Sequence, residues 1–186
     1  MADSRNDAPG KALWESLRTQ EPPDLCQEPR SGTLGVREVR ARVEKAMPGG
    51  GSGRASLVAA SLLYHDHHNE AHDMVQDMTD PDGSLVHALV HRREPDYWNA
   101  NYWYRQVGDH ELYRLLARRL GSMRPAGAAG AVADRLVLSG TLDPMVLVAA
   151  CEDAGRRGAA DPVLDFLRRV QEAEFELLIG LLAGRG

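Results

Sequence analysis

Imidazole is the side chain that offers a neutral nitrogen lone pair near pH 7, and all seven histidines of this 186-residue chain fall between His65 and His110. Two pairs have one-turn helical spacing, His68 with His72 and His87 with His91, so on helices the members of each pair project in one direction. The same stretch contains the run HRREPDYWNANYWYR, which holds five of the ten aromatic residues. Three or four imidazoles oriented around a point can hold zinc, iron or another divalent ion. His72, His87 and His91 are the candidate ligands. An ion there would make bound water acidic enough for hydrolysis or lyase-type chemistry on a small anionic molecule. In that scheme Glu94 or Asp96 moves a proton, Arg92 neutralises the substrate's charge, and Arg93, Asn99, Trp103, Arg105 and His110 bind the substrate. The competing expectation is structural: each histidine sits at the edge of the core and donates one N–H to a carbonyl or carboxylate.

Several familiar chemistries are absent from the sequence. There is no H-E-x-x-H, no E-x-x-H pair on two helices and no cysteine ligand set. The doublets His65-Asp66 and His72-Asp73 look like those of metal-dependent phosphohydrolases. On one continuous helix, however, Asp66, Glu70, Asp73 and Asp77 project opposite the apolar stripe and into solvent. PGGGSGR lacks the Gly-Lys-Ser/Thr ending of a phosphate loop and follows a helix rather than a strand. No base lies beside Ser56, Ser61 or Cys151 to make a nucleophile of them.

The elements that must position the histidines follow from apolar spacing and breakers. Val36, Val39, Val43 and Met47 mark a first helix, ended by Pro48 and the glycines. A longer helix is predicted over 54–78, stopping at TDPDG, and a short one over 84–93. The aromatic segment 95–108 reads as irregular or broken helical chain, because Pro95 disfavours helical geometry at Glu94. Asp109 is the expected N-cap of the helix closed by Gly121. Asp143-Pro144 and Asp161-Pro162 each place a capping acid before proline at the first helical position. Residues 132–138 are read as helical. The predicted fold is all-α, a compact multi-helix single domain of about six to eight helices over 34–186, preceded by a flexible, partly disordered N-terminal tail over 1–33. In that tail only Leu13, Trp14 and Leu17 look able to dock. If the two histidine helices pack across the TDPDG turn, the edge with His65 and His72 faces the stripe of His87, His91 and Glu94.

Bulk properties narrow the setting. A net charge of −5 argues against a whole-surface nucleic-acid binder. Charge is uneven: residues 64–82 hold six carboxylates and no Lys or Arg, whereas 91–124 hold seven arginines against four acids. Two distant cysteines suit reduced thiols in a cytoplasmic protein. No apolar run approaches the about 20 residues that span a bilayer, so no membrane association is expected. The second functional expectation is a non-catalytic module that receives a ligand or partner chain on the Arg/Trp/Tyr-rich segment 92–105.

That segment also carries a likeness. The pattern HxxxHRREPDYxNAxYW[FY]RxVGxH, preceded by an acidic histidine-containing helix, resembles an uncharacterised family of bacterial and fungal proteins with no established activity. The likeness covers about residues 55 to 115. What it implies is positional: His72, His87, His91, Arg92, Arg93, Glu94, Asp96, Asn99, Trp103, Arg105 and His110 match the family motif. This chain departs from the family pattern at His65 and His68, where apolar or aromatic residues are expected, and at Asn101, where lysine is common. The departures shift the candidate ligand set to His72, His87 and His91.

Overall fold

The computed structural model describes residues 7–51, 53–123, 125–158 and 161–185. The chain is mostly helical. Three helices form the centre: α3 (Arg54–Tyr64), α5 (Pro81–Arg93) and α10 (Pro162–Ala183). All residues from Ser56 to Tyr64 and from Gly83 to Arg93 are buried, so α3 and α5 are enclosed on every side, as central helices are. The 22-residue α10 buries Phe166, Val170, Phe175 and Ile179 against α3 and the outer helices. Around this centre lie α1 (Asp7–Leu17), α2 (Val36–Ala46), α4 (His68–Val75), α6 (Tyr97–Val107), α7 (Glu111–Ser122), α8 (Gly127–Leu136) and α9 (Pro144–Arg157). No helix among the described residues is long and apolar enough to cross a membrane.

The ten helices of the described residues exceed the expected six to eight for three local reasons. The helix predicted over 54–78 is two, α3 and α4, separated at His65–His67 where Asp66 has φ 66°. Left-handed backbone is strained for most residues but is tolerated by Asp, and here the Asp66 carboxylate is bonded by Arg30 and Arg93. The aromatic segment expected to be irregular is the regular helix α6, capped by Asp96, whose side chain accepts from the Asn99 backbone N–H. The third addition is α1.

The chain also differs from the expected tail over 1–33. Its first six residues lie outside the described residues, but α1 packs against α2 and α10 with Leu13, Trp14 and Leu17 buried. Gly10 makes that crossing close: a Cβ there would lie 2.9 Å from the Gly180 Cα. The proline-rich strap after α1 buries Leu25 in the core and is held mainly by polar anchors. Arg93 donates to the carbonyls of Asp24 and Cys26, Arg168 pairs with Asp24, and Gln171 donates to the carbonyls of Pro23 and Asp24.

Elsewhere local signals hold. Asp143 and Asp161 cap α9 and α10 with proline at the first turn. The helix read over 132–138 ends at Leu136. There β1 (Val137–Leu138) pairs antiparallel with β2 (Thr141–Leu142) through Ser139 and Gly140, both at positive φ, as a tight two-residue hairpin turn requires. His110 rather than Asp109 caps α7, its Nδ1 accepting from the Leu112 N–H at 3.1 Å.

Candidate metal centre

Helices α4 and α5 are joined by a short turn in which Asp80 caps α5 and Pro81 starts it. The turn folds α5 back on α4 and brings His72 onto the pair His87 and His91, which share a face of α5 by their i, i+4 spacing. Nε2 of His72 lies 3.2 Å from Nε2 of His87. The ring centroids of His72 are 4.8 Å from His87 and 5.4 Å from His91, and the His87 and His91 rings stack at 4.8 Å. One ligand atom from each lies within 4.8 Å of the others, close enough for the three to hold a metal ion. Tetrahedral zinc, with nitrogens at about 2.0–2.1 Å, separates its ligand atoms by about 3.3 Å, close to the His72–His87 spacing.

His87 and His91 are buried, while His72 is half-buried and reaches solvent. Burial, followed by the neighbouring imidazoles of His91 and His72, pushes His87 down to about 4. It is therefore neutral at pH 7, the form that ligates metal. Its Nδ1 is buried with no hydrogen-bond partner, and the indole of Trp103 stacks on its ring at 4.0 Å and 22°. Glu94, the C-cap of α5, places Oε2 3.1 Å from Nδ1 of His91. Contact with His91 holds the Glu94 carboxyl below the usual carboxylate range, against the opposing effect of burial. Asp96 lies 3.9 Å from the same nitrogen, but its Oδ2 accepts from the Asn99 side-chain amide at 2.7 Å.

The other expected site residues are placed elsewhere. Arg92, expected at a substrate, is buried toward α10. It donates to Tyr104 Oη at 2.9 Å and Gln171 Oε1 at 3.2 Å, and both of its terminal nitrogens reach the Glu174 carboxylate. Burial opposes its charge, yet Glu174 more than restores it, so Arg92 is held as a cation. Arg93 is fully buried and committed to Asp66, the Leu63 carbonyl and the strap. Both arginines form buried structural pairs, and the one nitrogen of Arg92 left without a partner, Nε, is itself buried. Asn99 caps with Asp96, and His110 caps α7 while its Nε2 meets Asp82 Oδ1 at 2.9 Å. Arg105 is exposed on α6.

The remaining histidines divide similarly. His65 Nδ1 accepts from the Leu34 N–H at 3.1 Å, and His67 Nε2 meets the Leu34 carbonyl at 2.7 Å. His68 is buried with both ring nitrogens unpartnered. Asp66, expected in solvent, is instead the central acid of the strap's anchor, and Glu174 and Gln171, which hold Arg92, gave no local sign of that role. The pairs Arg93–Asp66, Arg30–Asp66 and Arg92–Glu174 span 27, 36 and 82 residues, beyond the reach of helical periodicity. A separate cleft of ≈ 260 Å³, lined by Ala117, Leu120, Gly121, Ala133, Asp134 and Val137, shares no residue with the histidine centre.

Compared with protein-family models, curated proteins and solved structures, the chain matches none.

Proposed function

We propose that the protein is a metal-dependent enzyme whose centre is His72, His87 and His91, binding zinc or iron and acting on a small molecule by hydrolysis or lyase-type chemistry. The observation that carries this reading is the convergence of three imidazoles from two helices. Three protein ligands leave a fourth coordination position, the arrangement of catalytic rather than structural zinc, and the half-exposed His72 gives that position access to solvent. The ion would supply an acidified water and polarise a substrate oxygen. Elemental analysis of untagged protein from metal-replete growth tests the reading: about one ion per chain is expected, and none in His72→Ala/His91→Ala. Stoichiometry near zero in the parent protein would overturn it.

A second reading is supported by the exposed face of α6. Trp98 is 76% exposed, and its ring lies nearly parallel to that of Tyr102, with centroids 6.4 Å apart. Such a pair suits a ligand- or partner-binding module without turnover. Its signature is ligand-dependent thermal stabilisation that persists in the double alanine variant.

A further inference from the structure

Resting on the metal-centre reading, we propose that Glu94 is a positioning residue: its carboxylate fixes the ring of His91 so that Nε2 is presented to the ion. An imidazole has two nitrogens pointing away from each other, and a ring used as a ligand must keep one unprotonated and correctly aimed. At His91 a carboxylate stands beside one of the two nitrogens. Oε2 of Glu94 is 3.1 Å from Nδ1, at ion-pair distance though outside hydrogen-bond alignment, and a small turn of either side chain lets Nδ1–H donate to it and leaves the lone pair on Nε2. Glu94 follows His91 by three residues at the end of α5, where the helix holds both side chains on one side.

The other candidates for this task are already occupied or absent. Asp96 is farther from Nδ1, at 3.9 Å, and is committed to capping α6 and to the Asn99 amide. Nδ1 of His87 likewise lacks a hydrogen bond but, among the described residues, has no carboxylate at ion-pair distance, and its ring lies against the Trp103 face instead. Among the described residues, the mutually close ligand atoms come from the three histidines and do not extend to Glu94. Its carboxylate thus acts through His91 and not by coordination. Carboxylates behind metal-bound histidines typically contribute 10- to 100-fold in affinity. The role replaces the proton-moving one that the sequence suggested for this residue.

Two variants separate the parts of the effect. Glu94→Gln keeps an acceptor oxygen but removes the charge, and Glu94→Met removes both at similar length. Zinc affinity, measured by competition with a chromophoric chelator, is expected to fall up to about 10-fold in the first and up to about 100-fold in the second. Nitrogen-15 NMR of the metal-free protein supplies an independent readout: His91 should be protonated on Nδ1 in the parent chain and shift to Nε2 in Glu94→Met. A glutamate that does not act through His91 would move neither readout. Unchanged zinc affinity in both variants, or an Nε2-protonated His91 in the metal-free parent, would overturn the inference. If the parent takes up no zinc while His91 carries its proton on Nδ1, the metal reading fails and the Glu94–His91 contact is only structural.

Discussion

His68 shows what the core does to a histidine that has no assigned task. It is 6% exposed, both ring nitrogens lack partners, and burial pushes it down to about 4, so it is a neutral ring paying a desolvation cost. His65, one turn earlier in the chain, is equally depressed but recovers one hydrogen bond from the Leu34 N–H. The difference predicts opposite mutational outcomes. His68→Phe removes two unsatisfied polar atoms, and its slightly larger ring offsets part of the gain, so stability should rise by about 1 kcal/mol in urea unfolding of the metal-free protein at pH 7.5. A loss of stability would mean that the ring is hydrogen-bonded in solution.

At the scale of elements, the centre depends on how tightly the turn between α4 and α5 closes. Gly83 sits in the first turn of α5 against Met78, and a Cβ there would lie 2.4 Å from the Met78 Cβ and 2.9 Å from its Sδ. The nearest atom belongs to the stem of the methionine, which cannot swing away without moving the backbone. Gly83→Ala should therefore cost about 1–3 kcal/mol and separate His72 from His87, lowering zinc affinity more than Gly→Ala at exposed Gly121, where nothing lies within 4 Å. Equal zinc affinity in the two variants would show that the turn does not set the centre. The same hairpin explains what was legible in the sequence. His87 and His91 announce themselves by i, i+4 spacing, and a short turn permits His72 to meet them. The proline-marked starts of α9 and α10 were equally local signals. The break at Asp66 was not legible, because it is stabilised by Arg30 and Arg93 from remote parts of the chain. Projected as one helix, residues 54–78 put Asp66 in solvent, and that error followed from the missing break. The partner of Arg92 was not legible for a similar reason: Glu174, its counter-ion, lies 82 residues away.

The whole molecule concentrates its acid sensitivity in its buried imidazoles. His65, His68 and His87 are each pushed down to about 4, with burial as the largest cause, whereas an unfolded histidine titrates near 6.5. Between these values the unfolded chain holds protons that the folded chain does not, so stability rises with pH across that window and falls as pH drops through it. Carboxylates act lower down. For Asp66 burial opposes ionisation, but Arg93 and Arg30 outweigh it, and its carboxyl is held below 3.8. For Asp82 the His110 hydrogen bond is the leading cause of the same shift. Their contribution is present above the unfolded carboxylate value and is lost only as pH falls through the depressed one. Metal-free protein should consequently begin to weaken near pH 6.5 rather than near pH 4. Proton uptake on unfolding at pH 5, read from the pH dependence of the urea midpoint, should approach one proton for each of the three histidines. His68→Phe should remove one of them. A stability profile flat from pH 7 to pH 5 would mean that these rings titrate normally, and that the core around the histidine centre is wetter than its packing implies.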